Sequence, residues 1–185
     1  MSKLPNLRRV DKKMSEAAIN ELLRSGYSGH LATVDLYGMP YSCPLLYVWH
    51  DHRIWLHNAR SSGHLLSNLQ SNPNACFSIA EAGEVFSYGR YECDTTIAYQ
   101  SAVIFGKIDV IESPPEKTTF FELLMNKYSS PDASRPKNFF PRLDDTTVYA
   151  MTLERITGKD TALPALSEQW PAIDNTKSPH AQTPK

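Results

Sequence analysis

Apolar side chains recur at helical spacing over residues 14–25, where Met14, Ala17, Ala18, Ile19, Leu22 and Leu23 fall on one side of the repeat. Ser15 stands where a capping hydroxyl belongs and Gly26 where a helix stops, so the spacing predicts a short amphipathic helix. The rhythm then changes. Residues 30–35 and 41–49 are β-rich runs on either side of a turn that opens with Asp35 and contains Gly38, a hairpin signal. A polar turn, His50-Asp51-His52-Arg53, precedes a third run at 54–57, so three consecutive antiparallel strands are expected.

A small polar stretch at 59–63 leads into a helical pattern at 64–71, which stops at Asn72-Pro73. A strand is expected at 75–79 and a long loop at 81–96, where Val85, Phe86 and Tyr88 leave a short strand open. Residues 99–111 form a long β-rich run in which Gly106 marks a kink or bulge. Pro114-Pro115 opens a helix reaching to about residue 128, with Phe120, Phe121, Leu123, Leu124 and Met125 as its apolar side. The last strand is expected at 147–156. Residues 1–13 read as a polar arm that wraps a surface or a partner, 14–160 as one domain, and 161–185 as a Pro- and Ser-rich disordered tail. Six strands, mostly sequential, with three helices as appendages predict a mainly β member of the α+β class, a small antiparallel barrel with peripheral helices. A doubly wound parallel sheet needs a regular strand–helix alternation that is missing here. Residues 43–49 and 103–105 scarcely alternate, which points to burial on both faces, as at a dimer interface.

Composition narrows the function classes. Hydrophobic residues make up 41% of the 185 positions and the net charge is −1, with no basic run beyond Arg8-Arg9 and Lys12-Lys13. Binding to nucleic acid or an anionic membrane through bulk charge is therefore not expected, and a bound phosphate needs local donors. Cys43, Cys76 and Cys93 have no metal-ligand or paired spacing, which fits a reducing compartment. The first residues contain no apolar stretch suited to a signal peptide or a span, so a cytoplasmic protein is expected. His50-Asp51-His52 has metal-like composition, but side chains splay in a tight turn and no third ligand is evident, so no metal site is expected. Trp49, Trp55 and Tyr47 read as core or interface aromatics, and Glu81 with Glu84 as a solvated face.

The stretch from Ile54 to Leu69 carries the most chemistry. A strand delivers His57, Asn58 follows, and Ser61, Ser62, Gly63 and His64 lie where a helix begins. Helix N-termini expose unpaired N–H groups and partial positive charge, and so hold phosphates readily. Read alone, the same residues also suit a plain Ser62 cap with His64 on the surface.

Several segments, in order, resemble the nitroimidazole-resistance (Nim-type) branch of the pyridoxamine-phosphate-oxidase-like split-barrel superfamily. They are Leu31-Ala-Thr-Val-Asp35 with Gly38-Met-Pro-Tyr41 and Pro44-Leu45, then His57-Asn-Ala with Gly63-His-Leu-Leu-Ser-Asn-Leu69 and Asn72-Pro73. Thr95-Thr96 with Tyr99-Gln-Ser101-Ala-Val-Ile-Phe-Gly106, Glu116-Lys117, Met125-Asn-Lys-Tyr128 and Ile156-Thr-Gly158-Lys159 complete the set. The resemblance implies a six-stranded antiparallel Greek-key split barrel that binds flavin mononucleotide (FMN) in a groove between the subunits of a homodimer. It places Ser42, Pro44, Leu45 and Tyr47 along the flavin ring edge, His57, Asn58, Ser62, Gly63 and His64 around the phosphate, and Ser101 as a polar contact to the ring. His57 is the expected catalytic residue.

The sequence also departs from the oxidase branch. Gly63-His64 replaces an Arg/Lys pair, Tyr47 a Lys, and Gln100 the Arg of many relatives, and no Arg-rich C-terminal substrate motif is present. The implied activity is thus flavin-dependent oxidoreduction of a small electron acceptor, a nitroaromatic in the resembled branch. The alternatives are a non-catalytic flavin-binding or stress-related module, and a haem protein using His57, His64 or His180 as ligand.

Overall fold

The computed structural model describes residues 4–59, 63–88, 91, 93–129, 134, 136–165 and 169. Its strands are β1 (Gly29–Val34), β2 (Pro40–Leu45), β3 (Val48–His50), β4 (Arg53–Ala59), β5 (Asn74–Ser87), β6 (Thr95–Ile111) and β7 (Thr146–Thr161). Helices α1 (Glu16–Ser25), α2 (His64–Ser71) and α3 (Pro114–Tyr128) lie where the apolar spacing predicts them. All strand pairs are antiparallel, in one sheet of order β2-β1-β5-β6-β7-β4-β3. This is the expected split barrel with peripheral helices.

Local chemistry accounts for the element ends. The Ser15 hydroxyl accepts the Ala18 N–H at 3.1 Å, so α1 begins after the cap rather than at Met14, and it buries Ile19, Leu22 and Leu23. In the β1–β2 turn, one Asp35 carboxylate oxygen accepts the N–H groups of Tyr37 and Met39, each at 2.8 Å. Gly38 takes the positive φ of 86° that the turn demands. At Gly106 a Cβ would run into the Thr152 carbonyl, and the β6–β7 register shifts between Phe105 and Gly106, the bulge its sequence predicts.

Three expectations are corrected. The run 41–49 is not one strand: it breaks at Leu46-Tyr47 into β2 and β3, which raises the strand count from six to seven. Those two pieces are not neighbours, because β2 pairs with β1 and β3 with β4 at opposite edges of the sheet. Residues 81–96 are not a long loop either. β5 continues to Ser87 and β6 starts at Thr95, paired across an irregularity between Ala82 and Val85 that breaks the period-2 pattern. β7 likewise extends past residue 156 to Thr161, where it still pairs with β6 but no longer with β4. The arm lies on this part of β7: Lys13 bridges to Lys159, Arg155 donates to the Leu4 carbonyl at 3.0 Å, and Lys12 to the Thr161 hydroxyl at 2.8 Å. Beyond residue 165 the expected tail lies outside the described residues, Gln169 excepted.

With only Leu46 and Tyr47 between β2 and β3, the sheet must curl until its two edges come close. Inside the curl lies the main core, built from Leu31, Ile54, Leu56, Phe77, Ile104 and Met151, with α1 and α2 contributing Leu23 and Leu69. α3 packs outside, where Phe120 and Leu124 meet Trp55, Val148 and Ala150. Its last turn fastens the link. The Tyr128 hydroxyl accepts the Tyr47 N–H at 3.2 Å and lies 2.7 Å and 2.9 Å from the carbonyls of Tyr27 and Tyr47, to either of which it can donate. Lys127 donates to the same Tyr47 carbonyl at 3.2 Å, its ammonium 3.8 Å from the Tyr47 ring centroid. Burial lowers the Lys127 pKa to about 8, partly offset by Glu81, and raises those of Tyr47 and Tyr128.

Replacing Tyr128 by Phe leaves these peptide groups without their hydroxyl, an expected loss of about 1–3 kcal/mol. Urea denaturation should show a lower midpoint at unchanged slope; an unchanged midpoint would show that the hydroxyl contributes nothing to holding the link.

Candidate functional site

β4 ends at Ala59 and α2 starts at His64, so the strand-to-helix junction predicted from sequence is present. Arg60, Ser61 and Ser62 lie outside the described residues. Gly63 is the N-cap, extended at φ −98° and ψ 167°, and among the described residues no side chain caps the helix. First-turn N–H groups of a helix have no intrahelical partner, so the start of α2 presents donors and partial positive charge.

The rest of the junction is built to hold α2 still. Leu65 and Leu69 enter the core, and between them the Asn68 amide donates to the Thr33 hydroxyl at 3.1 Å, both residues buried. Thr33 pairs in register with Tyr41, whose ring lies 5.8 Å from that of His64. Sequence reading missed Asn68 and Thr33. The signal was a lone amide on the inward arc between two leucines.

The strand end splits two of the candidate residues. Neighbouring side chains on a strand point to opposite faces, so His57 and Asn58 cannot line one pocket together. Asn58 faces inward and accepts the Tyr149 hydroxyl at 3.1 Å. His57 faces outward beneath α3, its ring 5.5 Å from Phe120 and 5.4 Å from Phe121. Its Nδ1 is buried without a hydrogen-bond partner, and burial lowers its pKa below 6.5. Phe121 also lines an aromatic pocket of about 360 Å³ with Phe139, Phe140, Arg142 and Thr146.

The remaining candidates sit elsewhere. Ser42 and Pro44 are exposed on the outward face of β2, in rows with Ala32 and Cys76 and with His30 and Ser78. Ser101 shares that outward face on β6, opposite Ala80 and Lys159. Three strand spacings, roughly 14 Å, separate it from β2. Leu45 packs inward and Tyr47 has no exposed surface at all. His57 falls in the row with Val148 and Ile111, ten residues along β6 from Ser101. At strand rise this is roughly 30 Å, too far for one small ligand to touch both in one chain. The structure therefore sets His64 beside Tyr41 at the start of α2, four residues past the end of β4, and leaves Ser42, Pro44 and Ser101 on a separate, open sheet face. Among the described residues no cluster of His, Cys, Asp and Glu could hold a metal ion, and no helix is long and apolar enough to cross a membrane.

Residues 15–160, from the α1 cap nearly to the end of β7, match the family model described as pyridoxamine 5'-phosphate oxidase. The chain belongs to the pyridoxamine 5'-phosphate oxidase family. No curated protein matches it significantly. Among solved structures, its fold is similar to a Bacteroides thetaiotaomicron VPI-5482 protein provisionally assigned to 5-nitroimidazole antibiotic resistance. That pair shares 22% identity over 78% of this chain and 83% of the other, with a TM-score of 0.65. An FAD and heme binding protein from Mycobacterium smegmatis aligns at 19% identity, 83% and 75% coverage and a TM-score of 0.69. A flavocytochrome from Azotobacter vinelandii gives 13%, 97% and 92%, and 0.71. At such identities the likeness is one of fold.

The buried imidazole has a pH consequence. Below 6.5 the unfolded chain binds a proton that folded His57 resists, so stability falls as the pH drops from 6.5 to the lower folded value, and then levels. His57→Phe should flatten that part of the profile, which thermal melts at pH 7 and pH 5 will show as a smaller drop than in the wild type. Equal drops would mean that the ring is not buried in solution.

Proposed function

We propose that this chain is an FMN-dependent oxidoreductase that passes electrons to a small acceptor, working as a twofold homodimer. The observation that carries the reading is the start of α2 at Gly63, where no described side chain caps the helix, four residues on from the end of β4 and with His64 beside Tyr41. A phosphate there receives the first-turn N–H groups, with the His64 imidazole as a further donor. The neighbours' association with flavins supports flavin as the ligand class.

The donor set fits a phosphate, and the outward sheet face fits a flat ring. Ala32, Cys76, Ser78, Val103 and Phe105 are half-buried there, around exposed Ser42 and Pro44, with backbone polar groups along the β2 edge. When bound, FMN supplies the electron-transfer chemistry. The protein's part is to hold the phosphate at Gly63 and His64 and to shield the ring from water. The distance between His57 and Ser101 in one chain favours a site completed by a second copy, which brings one subunit's sheet face to the other's β4–α2 junction. His57 is the proposed proton carrier to the acceptor. Its burial keeps the ring neutral near pH 7, with one nitrogen protonated and the other free.

A second reading has one observation in its favour, the unpartnered Nδ1 of His57 in an aromatic surround, which suits a haem ligand. Hemin titration separates the two, since a Soret band lost in His57→Ala would select haem.

The decisive variant is Gly63→Asp. A carboxylate at the N-cap satisfies the free N–H groups itself, so stability should hold or rise slightly while FMN binding weakens about tenfold or more. Riboflavin, lacking the phosphate, should lose much less. Fluorescence titration reads both ligands; colourless protein that ignores added FMN, or a variant that binds it unchanged, would sink the proposal.

A further inference from the structure

Strand register collects a further residue on the outward sheet face. His30 on β1 stands opposite Pro44 on β2 and Ser78 on β5, and Ser78 in turn opposite Val103 on β6. Ser42, Ala32, Cys76 and Phe105 form the next row. Leu31, between His30 and Ala32, enters the core, so the side chains on either side of it point outward. His30 is exposed there and Ala32 half-buried.

The relief of this face suits a ring that lies flat and meets a polar group at its edge. Ala32, Cys76, Ser78 and Ala80 are small, and they leave a low floor along β1 and β5 on which a flat ligand can approach the sheet. His30 has the largest polar side chain in these rows of β1, β2 and β5 and stands above that floor. Among the described residues its imidazole has no hydrogen-bond or ion-pair partner, so both nitrogens are open to a ligand. Position separates it from the other strand histidine. His30 and Ser101 are two strand spacings and two residues apart, roughly 12 Å, so one three-ring ligand between them meets both side chains. His57, roughly 30 Å from Ser101 in the same chain, cannot share a ring with it.

Resting on the flavin reading of this face, we propose that the His30 imidazole is a direct contact of the flavin ring, donating a hydrogen bond to its polar edge while the ring lies on the small side chains of β1 and β5. A donor aimed at that edge also favours the reduced ring, because the negative charge gained on reduction collects there and strengthens the bond.

The full-length protein is titrated with FMN and with riboflavin by the quenching of flavin fluorescence. His30→Phe should weaken both flavins by a similar factor, about tenfold, because the lost contact is to the ring. A loss at the phosphate, as in Gly63→Asp, falls mainly on FMN. His30→Gln keeps an N–H donor and should restore most of the affinity. The reduction potential of the bound flavin, read by dye-coupled titration, should fall by about 30 mV in His30→Phe, a tenfold loss of preference for the reduced ring, and recover in His30→Gln. Ala32→Leu tests the floor without touching a polar group: a branched side chain there should hold the ring off the sheet and weaken both flavins. Both positions lie outside the core, so the variants keep the fold. The proposal is overturned if His30→Phe or Ala32→Leu binds both flavins as the wild type does, or if the potential does not move in His30→Phe. With FMN still weakened by Gly63→Asp, those outcomes leave the flavin reading standing; wild-type protein that takes up neither flavin overturns both.

Discussion

Two residues, Leu46 and Tyr47, carry the chain from one edge of a seven-stranded sheet to the other, and the fold follows from how short that passage is. A flat sheet of this order would hold its edges six strand spacings apart, roughly 29 Å, which two residues cannot span. The sheet therefore curls, and the apolar sides of its strands close on one core. The crossing has no ladder partners of its own, so Tyr128 and Lys127 serve the Tyr47 peptide groups from α3. Unpaired buried backbone groups are costly, which makes the end of α3 part of the barrel although the helix lies outside it.

Curling divides the molecule into surfaces with different fates. The inside is filled by strand side chains and by α1 and α2. Part of the outside is covered by α3, which encloses His57 in phenylalanines and withdraws it from water. Among the described residues no helix covers the outward face of β2, β1, β5 and β6, and its half-buried side chains make it a surface suited to a ligand or a second copy. α2 has a double position: leucines and the Asn68–Thr33 bond root it in the core, while His64 at its start is exposed.

The β3–β4 turn is the other place where local preference yields. Asp51 and His52 occupy a backbone conformation better suited to Asn and Gly. The sequence His50-Asp51-His52 suggested metal chemistry by composition alone, yet the turn sets Asp51 and His52 beside an apolar groove that Trp49 also lines.

Much of the protein is fixed by short-range pattern. Apolar spacing, the Ser15 cap, Pro114-Pro115 and Asn72-Pro73 placed three helices with little error, since capping and helix periodicity depend only on near neighbours. Asp35 and Gly38 fixed the first hairpin, Gly106 marked the bulge, and the ordered motifs from Leu31 to Lys159 named the family. Other features were beyond local reading. The run 41–49 is uniformly β-rich, so only the curl of the whole sheet reveals that it is two strands on opposite edges. Residues 81–87 lack clean alternation because β5 is irregular there, and their pairing with β6 is made across a hairpin rather than by neighbours. The same limit applies to the site. Strand and helix starts are local, so the β4–α2 junction before His64 was legible, but which candidate residues share a face depends on register, which long-range pairing alone determines.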